Sequence, residues 1–297
     1  MIYNLTHYDL DGICSAILIR YFLGETKIIP TGYNKINENF QNLLNRNPSH
    51  AIITDLNFNA QMINTLMNTN GKYLYIDHHK SNFKLPKESN VTFYIKEKYC
   101  AAANTLKYFK EKGKYISDEI KQLAYYANDY DTWDLKTDES QIMNFIFWKR
   151  GFNEFLEMFK NGYNEKIIQT FRPDFYVEQE NIKKHLENSK KEEFMYDECK
   201  CLVIYTSQYI NDVTLFYPNY DYYFIIADSK KMSVRTKVDY YLASAFRTLE
   251  DLNEIEVVGC HELAGGINLR KELTEEQCTA TWLKCMDIIL TDKYIPF

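Results

Sequence analysis

Short apolar runs alternate with stretches of helical periodicity along residues 1–135. The short runs predict four strands, at residues 2–5, 27–31, 51–54 and 72–76. The periodic stretches predict three helices, at residues 13–23, 101–112 and 118–127. Strands that alternate with helices form βαβ units, so this part of the chain is predicted to be a parallel sheet covered by helices.

The pattern becomes helical after residue 140. Apolar and aromatic residues recur at helical spacing from 141 to 194, and we interpret them as core, with base stacking as the less favoured alternative. Strands return at 201–206, 222–228 and 231–236, followed by a helix near 240–249 and a glycine-bearing segment at 259–266. The prediction is an α/β domain at 1–140, a helical connector at 141–198 and a smaller α/β domain at 199–297.

Composition narrows the class of substrate. The chain has 297 residues, 45% of them hydrophobic, which is enough for a sizeable core and for two domains. Its 41 acidic residues outnumber 35 basic ones, and the net charge is -6. An acidic surface disfavours binding to long duplex nucleic acid through its phosphates. A small anionic substrate fits this charge balance better.

The cysteines and the N-terminal sequence bear on location. The seven cysteines include no CxxC pair that would suggest a zinc site, and reduced thiols are the expected state. The N-terminal residues have no basic segment followed by an apolar one, and charges interrupt each apolar run before it reaches the length of a membrane span. We therefore expect a cytoplasmic protein that does not contact membranes.

Four separate segments carry carboxylate and imidazole side chains. In chain order they are His7, Asp9 and Asp11; Asp55; Asp77, His78 and His79; and Asp129 with Asp131. The first three segments follow predicted strands, so their side chains are expected to converge at the carboxyl edge of the sheet. This mixture of ligands suits Mn²⁺ or Mg²⁺ better than a thiolate site would.

Each segment alone is weak evidence, because an aspartate after a strand often caps the next helix. The four segments in this order are stronger evidence, since such a combination would rarely arise by chance. Two divalent ions about 3.5–4 Å apart can hold a phosphate, activate water at neutral pH and stabilise the leaving oxygen.

The motifs resemble those of the DHH phosphoesterases, a family named for the Asp-His-His motif that Asp77, His78 and His79 match. The family's HxDxDG motif is matched at residues 7–12, its lone aspartate at Asp55 and its fourth acidic motif at Asp129 or Asp131. The resemblance implies metal-binding and catalytic roles for these segments.

The implied ligands of one metal are His7, Asp9 and Asp55, and those of the other are Asp11, Asp55, His78 and Asp129. Asp55 would bridge the two ions. Asp77, His78 and His79 are the implied catalytic residues, with Asp77 also counted among the metal ligands and His79 at the scissile phosphate or orienting a ligand. Asp129 is preferred for the fourth motif by its distance from the predicted helix end, with Asp131 as the alternative.

The C-terminal part resembles the DHHA1 domain, which has a Ser-x-Arg pair on a strand and a later glycine-rich loop. The matching residues are Ser233, Arg235, Gly259, His261, Gly265 and Gly266. The resemblance implies that they bind substrate, because glycines let backbone N–H groups approach an anion and arginine can hold a phosphate in a bidentate manner. The sequence departs from the family loop at Cys260, where glycine is common.

Over the whole chain the resemblance implies an α/β fold in which a parallel-sheet DHH domain is joined through a helical connector to a smaller α/β DHHA1 domain. The implied activity is two-metal hydrolysis of short oligonucleotides to mononucleotides, as in the nano-RNase members, with Mn²⁺ preferred over Mg²⁺. A cyclic-dinucleotide phosphodiesterase and a phosphoadenosine phosphate phosphatase are alternatives, and a manganese-dependent pyrophosphatase is less favoured. A non-catalytic nucleotide sensor is the alternative from another class. Both a monomer and a homodimer are compatible with the sequence.

Overall fold

The computed structural model describes residues 1–79, 89–208, 210, 213–228, 230–237, 242–260, 264–270 and 273–291. The chain divides into two compact units, Met1–Tyr176 and Val177–Phe297. No helix among the described residues has both the length and the apolar character needed to cross a bilayer. The six cysteines whose side chains are described are free thiols.

The first unit contains a five-stranded sheet whose strands all run parallel. Its strands are β1 (Ile2–His7), β2 (Thr26–Thr31), β3 (His50–Thr54), β4 (Lys72–Asp77) and β5 (Val91–Ile95). Their order across the sheet is β2-β1-β3-β4-β5. The parallel sheet predicted from the alternating pattern is confirmed, with β5 as an additional strand.

Among the described residues, seven α-helices belong wholly or partly to this unit: α1 (Leu10–Leu23), α2 (Ile36–Asn45), α3 (Ala60–Met67), α4 (Ala101–Glu111), α5 (Asp118–Asp131), α6 (Asp138–Met158) and the start of α7 (Glu165–Asn188). Side-chain caps define several of their starts. Asn59 accepts a hydrogen bond from Met62 N at the start of α3, and Ser117 accepts one from Ile120 N at the start of α5.

The aromatic segment after residue 140 belongs to the core of the first unit. Ile142, Ile146 and Phe147 of α6 are fully buried in one cluster with Ile13 of α1 and Leu123 of α5. Burial of this apolar face against α1 and α5 removes it from water, which is why the segment packs as core. Its interpretation as core agrees with this packing.

The second unit contains a six-stranded mixed sheet. Its strands are β6 (Lys190–Tyr196), β7 (Cys199–Thr206), β8 (Tyr222–Ala227), β9 (Lys231–Thr236), β10 (Ile255–Cys260) and β11 (Ala264–Leu269). Their order is β10-β11-β9-β8-β7-β6, with β7 and β8 parallel and the other pairs antiparallel. The predicted second α/β domain is confirmed, although it begins before residue 199.

Helices cover both faces of this second sheet. They are α8 (Val213–Phe216), α9 (Leu242–Glu250), α10 (Glu275–Thr291) and the end of α7. Phe246 of α9 and Trp282 of α10 are buried in a cluster with Val234. Leu186 of α7 and Val213 of α8 are buried in another cluster, which includes residues of β7 and β8.

Candidate metal centre

Three strands of the parallel sheet end at residues that carry potential metal ligands. β1 ends at His7, Asp55 follows β3 directly, and β4 ends at Asp77, which is followed by His78 and His79. Because these strands are parallel neighbours, their carboxyl ends lie at one edge of the sheet. Their side chains form three overlapping groups in which the potential ligand atoms lie within 4.8 Å of one another.

The first group consists of His7, Asp9 and Asp55. His7 Nδ1 lies 2.7 Å from Asp9 Oδ2 and 3.7 Å from Asp55 Oδ2. Asp9 is also the N-cap of α1, because its Oδ1 accepts a hydrogen bond of 2.8 Å from Gly12 N. A Cβ on Gly12 would lie 2.1 Å from the His7 carbonyl oxygen, so this tight connection requires glycine.

The second group consists of Asp11, His78 and Asp131. His78 Nε2 lies 3.9 Å from Asp11 Oδ2, and His78 Nδ1 lies 3.6 Å from Asp131 Oδ2. Asp11 accepts hydrogen bonds of 2.7 Å from both Ala101 N and Ala102 N in the first turn of α4. The N-terminal end of α4 therefore orients the Asp11 carboxylate.

Asp55 connects the two sides of the cluster. Its Oδ1 lies 3.3 Å from His78 Nε2, whereas its Oδ2 faces His7. Its backbone adopts the left-handed conformation, with a φ of 57°. Aspartate tolerates this conformation better than most residues, so it suits the sharp turn after β3. The two oxygens of one carboxylate thus face the two histidines.

The structure brings Asp131, the alternative for the fourth motif, into a ligand group, whereas Asp129 belongs to none of the groups found among the described residues. Both residues lie within the last turn of α5, which extends to Asp131, and not beyond its end as expected. The Asp129 carboxylate is buried and accepts hydrogen bonds from Lys136 N and Ser140 Oγ, at 3.0 and 2.7 Å. It holds the loop between α5 and α6, while Asp131 faces His78.

His79 is oriented by two neighbours. Its Nδ1 lies 2.7 Å from Asp77 Oδ1, and its Nε2 lies 3.3 Å from the Tyr33 hydroxyl. Asp77 Oδ2 lies 3.3 Å from the Tyr75 hydroxyl, so both oxygens of Asp77 have partners. Tyr33 was not among the predicted site residues. Its position directly after β2, at the same edge of the sheet as the other site residues, was the signal available for finding it.

The comparison with known protein families gives a match within the first unit. Residues 1–127 match the DHH family, N-terminal domain. This match covers less than half of the 297 residues. A comparison with curated proteins gives no significant match.

Two solved structures share the fold over nearly the whole chain. RecJ from Thermus thermophilus in complex with Mn²⁺ has a TM-score of 0.59 and 14% identity, covering 99% of this chain and 52% of the RecJ chain. The pGpG-specific phosphodiesterase PggH from Vibrio cholerae has a TM-score of 0.59 and 13% identity, covering 97% of this chain and 99% of the PggH chain. At these identities the similarity is one of fold.

Carboxylates crowd the centre of the ligand cluster. Burial raises the pKa of Asp55, and the carboxylates of Asp9 and Asp11 raise it further. Burial together with Asp131 raises the pKa of Asp11 to about 7. Burial also raises the pKa of Asp131, although His78 opposes this effect. The cluster thus carries more negative charge than its own side chains neutralise.

The histidines supply part of the missing positive charge. Burial opposes protonation of His7 and His78, but Asp9 beside His7 and Asp131 beside His78 outweigh burial and raise both pKa values. Burial likewise opposes ionisation of Asp9, but His7 outweighs it and lowers the Asp9 pKa. Protons on the two histidines would therefore offset part of this negative charge, and a bound cation would displace them.

These residues fit a divalent cation. Asp55 Oδ2 is buried and, among the described residues, accepts no hydrogen bond. A buried carboxylate oxygen without a partner is costly unless a cation or a donor satisfies it. The oxygen and imidazole ligands of the cluster match the preferences of Mn²⁺ and Mg²⁺.

The predicted substrate-binding residues of the second unit lie on adjacent strands. Ser233 of β9 pairs with Gly266 of β11, which pairs in turn with Gly259 of β10. Ser233 Oγ is buried and, within the described part of the chain, has no hydrogen-bond partner. Arg235 lies two residues further along β9, and its Nη1 donates to Val234 O at 2.8 Å. His261 lies outside the described residues.

Gly265 has a packing role that the sequence did not suggest. A Cβ at this position would lie 2.2 Å from Cζ of Phe246, a buried residue of α9. Gly265 pairs with Val234, which lies in the same apolar cluster as Phe246. The absence of a side chain at Gly265 therefore allows α9 to pack against the sheet, while Gly266 is its neighbour on the opposite face.

Proposed function

We propose that this chain is a metal-dependent phosphodiesterase that hydrolyses short oligonucleotides to mononucleotides with two divalent cations, preferably Mn²⁺. The observation that carries the proposal is the position of Asp55, whose two oxygens face His7 on one side and His78 on the other. A carboxylate shared between two groups of ligands suits a bridged pair of ions.

The comparisons support this class of reaction. Residues 1–127 match the DHH family, N-terminal domain, and the structures of similar fold include RecJ with Mn²⁺ and a pGpG-specific phosphodiesterase. The chain spans about half of the RecJ chain. Its excess of acidic residues favours a small substrate over long duplex nucleic acid.

The proposed mechanism divides the ligands into two sets that share Asp55. His7, Asp9 and Asp55 would hold one cation, and Asp11, Asp55, His78 and Asp131 would hold the other. When bound, the ions would polarise the scissile phosphate and make water a better nucleophile at neutral pH. Asp9, Asp11 and Asp55 would be held in their ionised form by this positive charge.

His79 would contact the scissile phosphate. Its short contact with Asp77 fixes Nδ1 at that carboxylate, so Nε2, beside the Tyr33 hydroxyl, is the ring atom that would approach substrate. Tyr33 lies at Nε2 and would fix the plane of the ring. In the second unit, Arg235 and Ser233 would bind a phosphate, since a guanidinium pairs well with phosphate oxygens and the buried Ser233 hydroxyl can donate to one.

Replacing Tyr33 with phenylalanine is expected to lower kcat by about tenfold and to leave Mn²⁺ affinity nearly unchanged. Loss of a group that orients an active-site residue typically costs about 10- to 100-fold, and the 3.3 Å contact places this hydroxyl at the lower end. Tyr73→Phe is the matched control, because it removes a hydroxyl that contacts Thr69 at the other end of β4. Equal losses in the two variants would contradict a positioning role for Tyr33.

Hydrolysis of a labelled RNA of two to five nucleotides with Mn²⁺ tests the proposed function. We expect mononucleotide products, no activity in EDTA, and loss of activity in His78→Ala but not in His50→Ala. His50 is an exposed histidine of the same domain whose ring contacts Ser49. Cyclic di-AMP and 3′-phosphoadenosine 5′-phosphate are assayed in parallel.

The outcomes separate the alternatives. If cyclic di-AMP is hydrolysed faster than the short RNA, the chain is a cyclic-dinucleotide phosphodiesterase. If 3′-phosphoadenosine 5′-phosphate is hydrolysed faster than the short RNA, the chain is a phosphatase. Nucleotide binding without turnover of any substrate would assign a sensor. If wild type and His78→Ala turn over all substrates equally, the reaction does not occur at this centre.

A further inference from the structure

Two exposed aromatic side chains lie beside the metal-ligand residues and have no part in the mechanism above. Tyr8 stands between His7 and Asp9 and is 39% exposed, and Trp148 of α6 is 60% exposed. Their ring centroids are 6.3 Å apart. Single exposed aromatic residues are common on protein surfaces, but two in contact next to a candidate active site indicate a binding surface.

Buried phenylalanines hold these two rings in place. The Tyr8 ring centroid lies 5.5 Å from that of Phe147 and 5.7 Å from that of Phe152. Phe147 also contacts Trp148, at 5.1 Å and in an edge-on arrangement. Phe147 and Phe152 are both buried, so Tyr8 and Trp148 rest on a packed floor. A ligand that stacks on such rings loses little free energy to ordering them.

A break in α6 accompanies this arrangement. Gly151 has a φ of 76° and a ψ of 172°, which interrupts the helix between Trp148 and Phe152, and both of these residues contact Tyr8. A Cβ at Gly151 would lie 3.8 Å from the Tyr8 hydroxyl oxygen, so any larger side chain would approach Tyr8. Glycine adopts this backbone conformation without strain.

The position of Tyr8 in the chain keeps it close to the metal centre, because consecutive Cα atoms lie about 3.8 Å apart and both of its neighbours belong to the ligand cluster. Asp9 has an extended backbone, and successive side chains of an extended chain point to opposite sides. His7 and Asp9 belong to the ligand cluster, whereas Tyr8 contacts α6. In a nucleotide the base is separated from its phosphate by the ribose. When the metal ligands hold the phosphate, the base attached to it can therefore reach Tyr8 beside the metal centre.

We infer that Tyr8 and Trp148 form a stacking surface for a nucleobase next to the scissile phosphate, an inference that rests on the proposed function. Every nucleobase has a π face, so stacking on aromatic side chains binds single-stranded nucleotides with little dependence on sequence. The surface would favour substrates that carry a base over other phosphodiesters of the same charge.

The test compares the dinucleotide pApA with analogues in which one base or the other is replaced by hydrogen, using the full chain and Mn²⁺. Trp148→Ala is expected to raise KM for pApA about tenfold, and Trp148→Phe to stay within about threefold of wild type. Tyr115→Ala is the control, because Tyr115 is an exposed tyrosine of the same unit, and we expect no change. Removing both the Trp148 ring and the base that stacks on it should raise KM no more than removing either one alone.

A second measurement does not depend on turnover. AMP is expected to quench the tryptophan fluorescence of the wild-type chain, ribose 5-phosphate is not, and Trp148→Ala should abolish the quenching. If wild type hydrolyses no phosphodiester, the proposed function fails, and the fluorescence titration still decides whether a base binds here.

Three results would overturn the inference while the proposed function stands. In the first, Trp148→Ala and Tyr115→Ala have the same KM for pApA. In the second, Trp148→Ala impairs base-bearing and base-free substrates equally, which assigns Trp148 a structural role. In the third, Trp148→Ala changes the oligomeric state but not KM, which assigns the surface to contact between copies of the chain.

Discussion

Asp55→Asn is expected to abolish metal-dependent hydrolysis and at the same time to stabilise the metal-free protein. Asparagine tolerates the left-handed backbone at this position, where φ is 57°, so the substitution changes charge more than conformation. Loss of groups that only support metal ligands typically costs about 10- to 100-fold, and loss of a shared ligand should cost more than about 100-fold.

The gain in stability follows from the raised pKa of Asp55. Burial and the carboxylates of Asp9 and Asp11 oppose its ionisation in the folded state. The folded protein therefore holds this proton to higher pH than the unfolded chain, so wild-type stability falls as pH rises through this interval. Asparagine lacks this penalty. Without metal we expect a Tm higher by about 2–4 °C for each kcal/mol gained.

Thermal unfolding in EDTA and Mn²⁺ titration together measure the two effects. The Tm difference between variant and wild type should be larger at pH 8 than at pH 5, and saturating Mn²⁺ should stabilise wild type much more than the variant. His50→Ala serves again as the control at an exposed position. A variant that retains Mn²⁺-dependent activity would exclude Asp55 as the shared ligand.

Asp131→Asn is expected to impair activity without lowering stability, whereas Asp129→Asn is expected to lower stability and to keep activity. Asp131→Asn should reduce activity by more than about 100-fold and leave Tm unchanged or raised, because its carboxylate faces His78 and its pKa is raised by burial. Asp129→Asn should lower the free energy of unfolding by about 1–3 kcal/mol. Its buried carboxylate accepts hydrogen bonds from Lys136 N, Thr137 N and Ser140 Oγ, and an amide cannot replace all of them.

Activity assays below the unfolding temperature and thermal unfolding of both variants distinguish the two residues. Asp129→Asn should keep kcat within a few-fold of wild type wherever it is folded. Each variant is the matched control for the other, since both replace an aspartate in the last turn of α5. If activity is lost in Asp129→Asn and kept in Asp131→Asn, the ligand is Asp129, as the sequence first indicated.

The parallel sheet and most of the candidate metal centre could be predicted from the order of residues alone. His7, Asp55 and Asp77 each stand at or directly after the end of a strand, and parallel neighbouring strands bring such positions to one edge whatever the details of packing. The apolar runs that define the strands are local, so the positions of these residues could be recognised without knowledge of distant contacts.

Other features depended on contacts that a linear pattern does not contain. Asp129 and Asp131 are two residues apart on a helix, about 200° around its axis, so only one can face His78, and the packing of α5 selects Asp131. Tyr33 reaches His79 across 46 positions of sequence. The aromatic residues of α6 belong to the first unit because α1 and α5 bury them, and Gly265 is small because Phe246 packs against it. These features depend on which surfaces pack against one another, and burial across the whole domain determines that packing.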